Sequence, residues 1–290
     1  MAVDFCVIGK NSTIGSALLN RLEKSGFSVT GSTRRDVKAD EFHIDLANPE
    51  SIRIPECKTL VLAAAATNLN FCRANKDIAW QINVESQVKL AALARKQGSF
   101  VVFLSTNQVF DGSEPLREPG SPTSPLSLYG RMKAAAELEI SSGATKQVAI
   151  VRLTKVVSPH IPVFKDWKEK LLESKVIHPY SDLYFSPVSL ATAVQGIEAI
   201  CVNKLNGAWH ISGKSDLSYR DAAFFFAGLY GKDKTLVGDG SAAASGIPAE
   251  ERPRFTALNA TDFQKKTGVV IGDAYAELNS GWTNAPAGSV

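Results

Sequence analysis

Tyr129 and Lys133 are spaced i and i+4 in a stretch, 128–140, whose apolar residues recur every three or four positions. Both therefore fall on one face of a helix. A free tyrosine ionises near pH 10, too high for efficient proton exchange at neutral pH, and a neighbouring ammonium is the simplest means of lowering that value. The pair reads as a proton donor with its electrostatic partner, although Tyr-x-x-x-Lys also arises by chance in helices. Twenty-three residues before Tyr129 stands Thr106, in Ser105-Thr-Asn-Gln-Val-Phe-Asp-Gly112, directly after the apolar run 100–104.

A second group of residues suits a dinucleotide. Gly9-Lys-Asn-Ser-Thr-Ile-Gly15 separates a short apolar run from a helical pattern, where the backbone amides of a helix N-terminus can bind a pyrophosphate. Gly9, Asn11, Ser12, Thr13, Ile14 and Gly15 are the expected contacts, with Ser12 in the place of the usual middle glycine. The second strand closes on Gly31-Ser-Thr-Arg-Arg35 without a carboxylate. Arg34 and Arg35 read either as solvated loop charges or as a bidentate clamp for a 2′-phosphate, and their position favours the clamp, hence NADP(H) over NAD(H). Asp45, followed by Leu46, is placed either to bond an adenine amino group or to cap the turn before Pro49. Ala63, Ala64 and Ala65 close the next strand with side chains small enough for a cofactor to approach, or simply pack beneath a helix.

The elements that must hold these residues alternate. Apolar runs at 4–8, 28–32, 42–44, 59–63, 100–104 and 148–152 read as strands, and 14–24, 78–96 and 128–140 as amphipathic helices. That alternation predicts a doubly wound α/β fold on a parallel sheet. Beyond Arg152 the rhythm changes: a breaker at 158–162, a charged helix over 163–174, extended chain over 176–185, an amphipathic stretch over 188–202 and a strand over 207–211. The expected division is a dinucleotide-binding part over 1–155, rejoined by 187–212, and a second, interleaved lobe over 156–186 and 213–290. Residues 241–246, Ser-Ala-Ala-Ala-Ser-Gly, read as a mobile loop.

The glycine turn, Asn83 within Gln81-Ile-Asn-Val-Glu85, the Ser105–Gly112 segment and Tyr129-x-x-x-Lys133 occur in the order and spacing of extended short-chain dehydrogenases. The chain closely resembles the dTDP-4-dehydrorhamnose reductase family of sugar nucleotide-binding proteins. Ser186-Pro-Val-Ser-Leu-Ala191, Gly207-Ala-Trp-His-Ile-Ser-Gly213, Ser218-Tyr-Arg-Asp-Ala222 and Arg252-Pro-Arg-Phe-Thr-Ala-Leu-Asn259 extend the resemblance over nearly the whole chain. It implies a Rossmann-type domain with a smaller C-terminal substrate lobe and NADPH-dependent reduction of a nucleotide-linked 4-keto-6-deoxy sugar. Tyr129 would protonate the nascent alkoxide, Lys133 would lower its pKa and hold the nicotinamide ribose, and Thr106 would orient the carbonyl. Asn83 would support Lys133 through water. Thr106, Asn107, Ser186, Val188 and Arg252 would touch the substrate. A homodimer is left open.

Some positions depart from the family pattern: Ser12, Leu62, Asn70, Arg73 and Asn107, the last three standing where acidic residues are usual. They suggest a different sugar, and they keep two alternatives in view: a non-catalytic sugar-nucleotide or regulatory subunit, and an epimerase of the same superfamily.

Composition excludes other classes. With 32 basic against 29 acidic residues, unclustered, nothing favours a nucleic-acid or membrane partner. The longest early apolar run, 60–66, is too short to cross a bilayer, and the first nine residues lack the basic region of a secretory signal. Four scattered cysteines fit a reducing compartment, so a cytoplasmic location is expected. The four histidines are unclustered and no catalytic metal is expected. Trp167 is a candidate for stacking on a base, with core packing as the alternative.

Overall fold

The computed structural model describes residues 2–35, 37, 41–143 and 146–283. The chain runs β1 (Val3–Ile8), α1 (Thr13–Lys24), β2 (Val29–Thr33), β3 (Glu41–His43), β4 (Cys57–Leu62), α2 (Leu69–Ala74) and α3 (Lys76–Trp80). A π-helical turn, Gln81–Glu85, joins α3 to α4 (Ser86–Lys96), and β5 (Phe100–Thr106), α5 (Leu128–Ser141) and β6 (Val148–Leu153) follow. The remainder is β7 (Lys155–Val157), α6 (Pro162–Leu172), β8 (Tyr184–Phe185), β9 (Pro187–Ser189), α7 (Leu190–Val202), β10 (Gly207–Ile211), β11 (Leu217–Ser218), α8 (Tyr219–Leu229), α9 (Thr261–Thr267) and α10 (Ala274–Thr283).

Seven strands form one parallel sheet in the order β10-β6-β5-β4-β1-β2-β3. Sequence order reverses between β1 and β4, the switch point beside which doubly wound sheets bind ligands. The strands are apolar on both faces because both faces are covered. Val7, Val61, Val102 and Val151 pack with Leu18 and Leu22 of α1 and Val194 and Ile197 of α7. Their neighbours Ile8, Leu60, Val101 and Ile150 pack with Leu90 and Ala94 of α4 and Ala136 and Ile140 of α5. Each fully buried Val, Leu or Ile contributes about 1.5–3 kcal/mol.

The second lobe has its own core, an aromatic cluster on Phe164, whose ring lies 5.4 Å from Trp167, 5.1 Å from Phe226 and 5.9 Å from Phe185. Trp167 is buried in this cluster and is not available to a base, which decides its role as packing. The expected helix over 163–174 ends at Leu172, and Ser174 takes a left-handed φ of 57°. The extended stretch over 176–185 is strand only at β8, with single bridges from Ile177 to Val237 and Tyr180 to Gly240. The first residues of 188–202 belong to β9, because Ser189 caps α7 by accepting from the Thr192 amide at 3.1 Å. Ser218 and Asp221 form a capping box at the start of α8, giving that motif a structural meaning.

The C-terminal part serves both cores. Phe263, Val269 and Ile271 pack in the cluster beneath α7, whereas Ala274, Leu278 and Trp282 pack in the second lobe. Buried Glu277 anchors α10, accepting from the Ser189 amide at 2.7 Å and the Gly272 amide at 2.8 Å. No described helix is long and apolar enough to cross a membrane.

Candidate active site

The turn from β1 to α1 is fixed by backbone sterics. Gly9 has a φ of 95°, and a Cβ there would lie 2.7 Å from the Ala64 Cβ. At Gly15 a Cβ would lie 2.2 Å from the Gly9 carbonyl oxygen, so neither position admits a side chain without displacing the turn. Ser12 caps α1, where a glycine could not, by accepting from the Gly15 amide at 3.0 Å. Thr13 and Ile14 occupy the first two helical positions, where amides have no partner within the helix and face outward to an anion. Ser32 and Thr33 brace the turn from β2, Ser32 Oγ accepting from the Gly9 amide at 3.0 Å and Thr33 Oγ1 from Asn11 Nδ2 at 2.8 Å. Arg34 and Arg35 follow, both exposed. A turn this closely packed, opening a helix, has the form that could hold a dinucleotide pyrophosphate.

The opposite wall is the chain after β4. Ala63 bonds back to Ile8, its amide 3.0 Å from that carbonyl, and Ala64 abuts Gly9, so the alanines pack against the turn itself. Asn83 is buried on the π-helical turn and grips Ala66 twice, accepting from its amide at 2.9 Å and donating to its carbonyl at 3.0 Å. Gln87, one turn on, donates to the Ala64 carbonyl at 3.1 Å. Asn83 thus shapes this wall directly. Asp45 accepts from the Ala47 amide at 3.0 Å and so caps its own turn, and the Leu46 carbonyl takes the Ser86 hydroxyl at 2.7 Å.

The catalytic candidates meet where β5 and α5 interlock through Gln108. The Gln108 amide donates to Thr106 Oγ1 at 3.2 Å, its side-chain Oε1 accepts from Ser127 Oγ at 2.8 Å, and Ser127 caps α5. A Cβ on Gly130 would stand 2.1 Å from the Gln108 carbonyl oxygen, so glycine lets the start of α5 press on this turn. Thr106 and Tyr129, on either side of the interlock, are brought to one end of the sheet beside Asn107, whose Oδ1 lies 3.4 Å from Thr106 Oγ1.

The electrostatics differ from the expected arrangement. Burial raises the Tyr129 hydroxyl above its ordinary value, with a smaller push from Cys72. Lys133 is also buried, and desolvation pulls its ammonium down to about 7 while Glu137 opposes the fall. Its Nζ donates to the Leu104 carbonyl at 2.6 Å and lies 3.7 Å from the centre of the Phe103 ring. The Lys133 amine is therefore set along β5.

The substrate candidates are spread more widely. Ser186 and Val188 are wholly buried: Val188 packs in the main core, and Ser186 Oγ has no hydrogen-bond partner. The hydroxyls of Ser105 and Thr154, at the ends of β5 and β6, are likewise buried and unpartnered among the described residues. Arg252 donates to the Ile247 carbonyl at 3.0 Å and approaches Asp182 at 3.9 Å. Asp182 also accepts from Ser241 and from the amides of Ala242 and Ala243, so the segment read as a mobile loop is tied down at its base. Arg73, on α2, pairs with Glu251 across the cleft and bonds Asn70.

Residues 4–280 match the RmlD substrate binding domain family. The chain belongs to this family. Among relatives, it is 26% identical over 285 residues to the dTDP-4-dehydrorhamnose reductase of Salmonella typhimurium, covering 93% of each chain. It is also 25% identical over 249 residues to methionine adenosyltransferase 2 subunit beta of Rattus norvegicus, covering 77% of this chain and 71% of that one. Its fold is similar to that of dTDP-4-dehydrorhamnose reductase from Bacillus anthracis in complex with NADP, with a TM-score of 0.80, 20% identity and coverage of 96% and 97%. Thermus thermophilus UDP-glucose 4-epimerase in complex with NAD gives a TM-score of 0.80 at 18% identity, covering 98% of this chain and all of that one. The sheet order and the flanking helices are those of a Rossmann-type α/β fold.

Several residues that build this family member's cleft carry weak signals in sequence. Gln87 lies i+4 from Asn83, and Glu137 lies i+4 from Lys133, spacings that place each pair on one helix face. Arg152 is a charge inside the apolar run Val-Ala-Ile-Val-Arg-Leu, which signals a buried partner. Gln108 and the Arg73–Glu251 pair offer no local signal, because their partners are remote in sequence.

Proposed function

We propose that this protein reduces a nucleotide-linked 4-keto-6-deoxy sugar with NADPH. The single observation that carries this reading is the Gln108 interlock, which ties Thr106, at the end of β5, to Ser127, the cap of the helix that carries Tyr129. The cofactor would supply a hydride to the keto carbon. Gly9, Asn11, Ser12, Thr13, Ile14 and Gly15 would hold its pyrophosphate end, and Arg34 and Arg35, exposed after a strand end without a carboxylate, favour a 2′-phosphate. Thr106 would hydrogen-bond the substrate carbonyl and Tyr129 would give it a proton. Burial holds the Tyr129 hydroxyl protonated, and the charge of Lys133 would have to bring its value down for the proton to pass to the carbonyl oxygen. Lys133 would turn its buried charge to the cofactor ribose. Asn107, Ser186 with its unpaired hydroxyl, and Arg252 would contact the substrate, whereas Val188 would act from within the core by packing.

The second reading is a regulatory subunit that keeps the fold and the cofactor. It is favoured by the engagement of Lys133 with the Leu104 carbonyl and by the similarity to a methionine adenosyltransferase subunit. A panel of dTDP- and UDP-linked 4-keto sugars, followed by NADPH absorbance and by thermal protection, separates the two. Oxidation of NADPH is the expected result. Protection without oxidation would favour the subunit, and neither response would end both.

A further inference from the structure

We propose that Thr33, the last residue of β2, is a positioning residue for cofactor choice: its hydroxyl clamps the turn that presents Arg34 and Arg35 to a 2′-phosphate. The inference rests on the reading of those two arginines as the place of that phosphate.

In a dinucleotide fold the side chain closing the second strand faces the adenosine ribose, and a carboxylate there accepts from the 2′-hydroxyl. Here β2 closes on Thr33, which is buried. Its hydroxyl oxygen has two lone pairs, and both are taken: Asn11 Nδ2 donates at 2.8 Å and the Arg35 amide at 3.0 Å. Thr33 therefore has nothing left with which to accept from a ribose hydroxyl, and it does not replace the missing carboxylate.

The two donors come from opposite sides, and that gives the oxygen its role. Its bond to the amide two residues on closes a hydroxyl turn, with Arg34 inside the loop and Arg35 as the donor. Its bond to Asn11 ties this turn to the glycine turn, beside the bond from the Gly9 amide to Ser32 Oγ at 3.0 Å and that from the Lys10 amide to the Ser32 carbonyl at 3.2 Å. One oxygen thus sets the span between the pyrophosphate end of the cradle and the arginines. Lys10, the neighbouring cation, is engaged elsewhere: its side chain crosses Gly31, where a Cβ would lie 2.6 Å from the Lys10 Cβ, and its ammonium pairs with Glu41 of β3. Arg34 and Arg35 are exposed, and an arginine on an unfixed turn loses backbone freedom when it meets an anion. Fixing the turn beforehand removes that loss, and only a cofactor carrying the 2′-phosphate gains from it.

Thr33→Val keeps the shape of the side chain and removes the acceptor. In titration calorimetry it should raise the NADP⁺ dissociation constant about fivefold, the worth of one lost hydrogen bond, and leave that of NAD⁺ within about twofold. Adenosine 2′,5′-bisphosphate and 5′-AMP, which differ only in the 2′-phosphate, should repeat the pattern. Thr33→Ser, which restores the hydroxyl, should keep the ratio of the unmodified protein.

A brace of purely structural importance would weaken both cofactors alike, and that result overturns the proposal, as does an unchanged ratio in Thr33→Val or an equal loss in Thr33→Ser. Should the valine variant fail to fold, Asn11→Ala withdraws one donor from outside the strand. The ratio should then fall by about twofold, and a constant ratio overturns the proposal. If the unmodified protein binds NAD⁺ as tightly as NADP⁺, the 2′-phosphate reading itself fails and takes this inference with it. That outcome is distinct from a preference that exists and does not move with Thr33.

Discussion

The glycine-turn cradle and the proposed substrate side are held by different physics. At the cradle, Gly9, Gly15 and Ala64 meet at distances that exclude even one added carbon, and Ser12, Ser32 and Thr33 bond the backbone directly. On the substrate side the second lobe reaches the cleft through side-chain ties: Arg73 to Glu251, Arg252 to Ile247, and Asp182 to the 241–243 backbone. Of these only Arg73–Glu251 is an ion pair, and a part-exposed pair contributes about 0–1 kcal/mol. The cradle therefore tolerates almost no change in residue size, while the substrate side can exchange its contacts at small cost. Of the departures, Asn70 and Arg73 fall on that permissive side, whereas Asn107 sits beside Thr106.

The strongest effect should come from the junction of the two regions. Tyr129→Phe should cut sugar reduction by about 10²–10⁴-fold while leaving NADP(H) dissociation constants within about twofold. Full turnover by the phenylalanine variant, measured by NADPH oxidation, would remove Tyr129 from the mechanism.

Lys133 tests how firmly the junction is buried. Its folded-state value of about 7 lies below its ordinary value of 10.5, so between these the unfolded chain binds a proton that the folded one lacks. Stability relative to Lys133→Met should therefore climb with pH across that window, by up to roughly 1.4 kcal/mol per unit, and be flat below pH 7. Denaturant unfolding of both proteins from pH 6 to 10 measures it, and a flat difference throughout would mean that Lys133 is solvated.

Gly9→Ala probes the cradle alone. A side chain at a φ of 95° against Ala64 should destabilise the fold by about 1–3 kcal/mol and weaken NADP(H) binding. An unchanged melting temperature would break the contrast between the rigid and the permissive end. Arg34→Ala with Arg35→Ala should reduce the preference for NADPH over NADH by about tenfold, the worth of one charge-assisted contact, and leave NADH affinity unchanged. Equal affinities in the unmodified protein would remove the assignment.

The weakest effect belongs to the substrate side. Arg73→Ala should change stability by less than about 1 kcal/mol, because its side chain is 38% exposed. It should instead alter protection by nucleotide sugars in a salt-dependent way, and a loss of several kcal/mol on denaturation would show that this tie is structural after all.

The sheet, its helices and the order of the chemical groups along it were legible in the residues alone. Strand and helix periods are local properties, and so are the glycine turn and the i+4 spacing of Tyr129 and Lys133. The glycine turn could be read for the same reason: its geometry is made by a few consecutive residues. The rest waited on tertiary packing. It put Trp167 in an aromatic core, turned Asn83 to the Ala66 backbone, buried Val188, and placed Lys133 over Phe103 with Glu137 and Arg152 behind it. Each of these depends on which distant segment fills the neighbouring space and removes water from it. Burial, and with it the protonation of Tyr129 and Lys133, is a property of that packing and not of the residues' spacing along the chain.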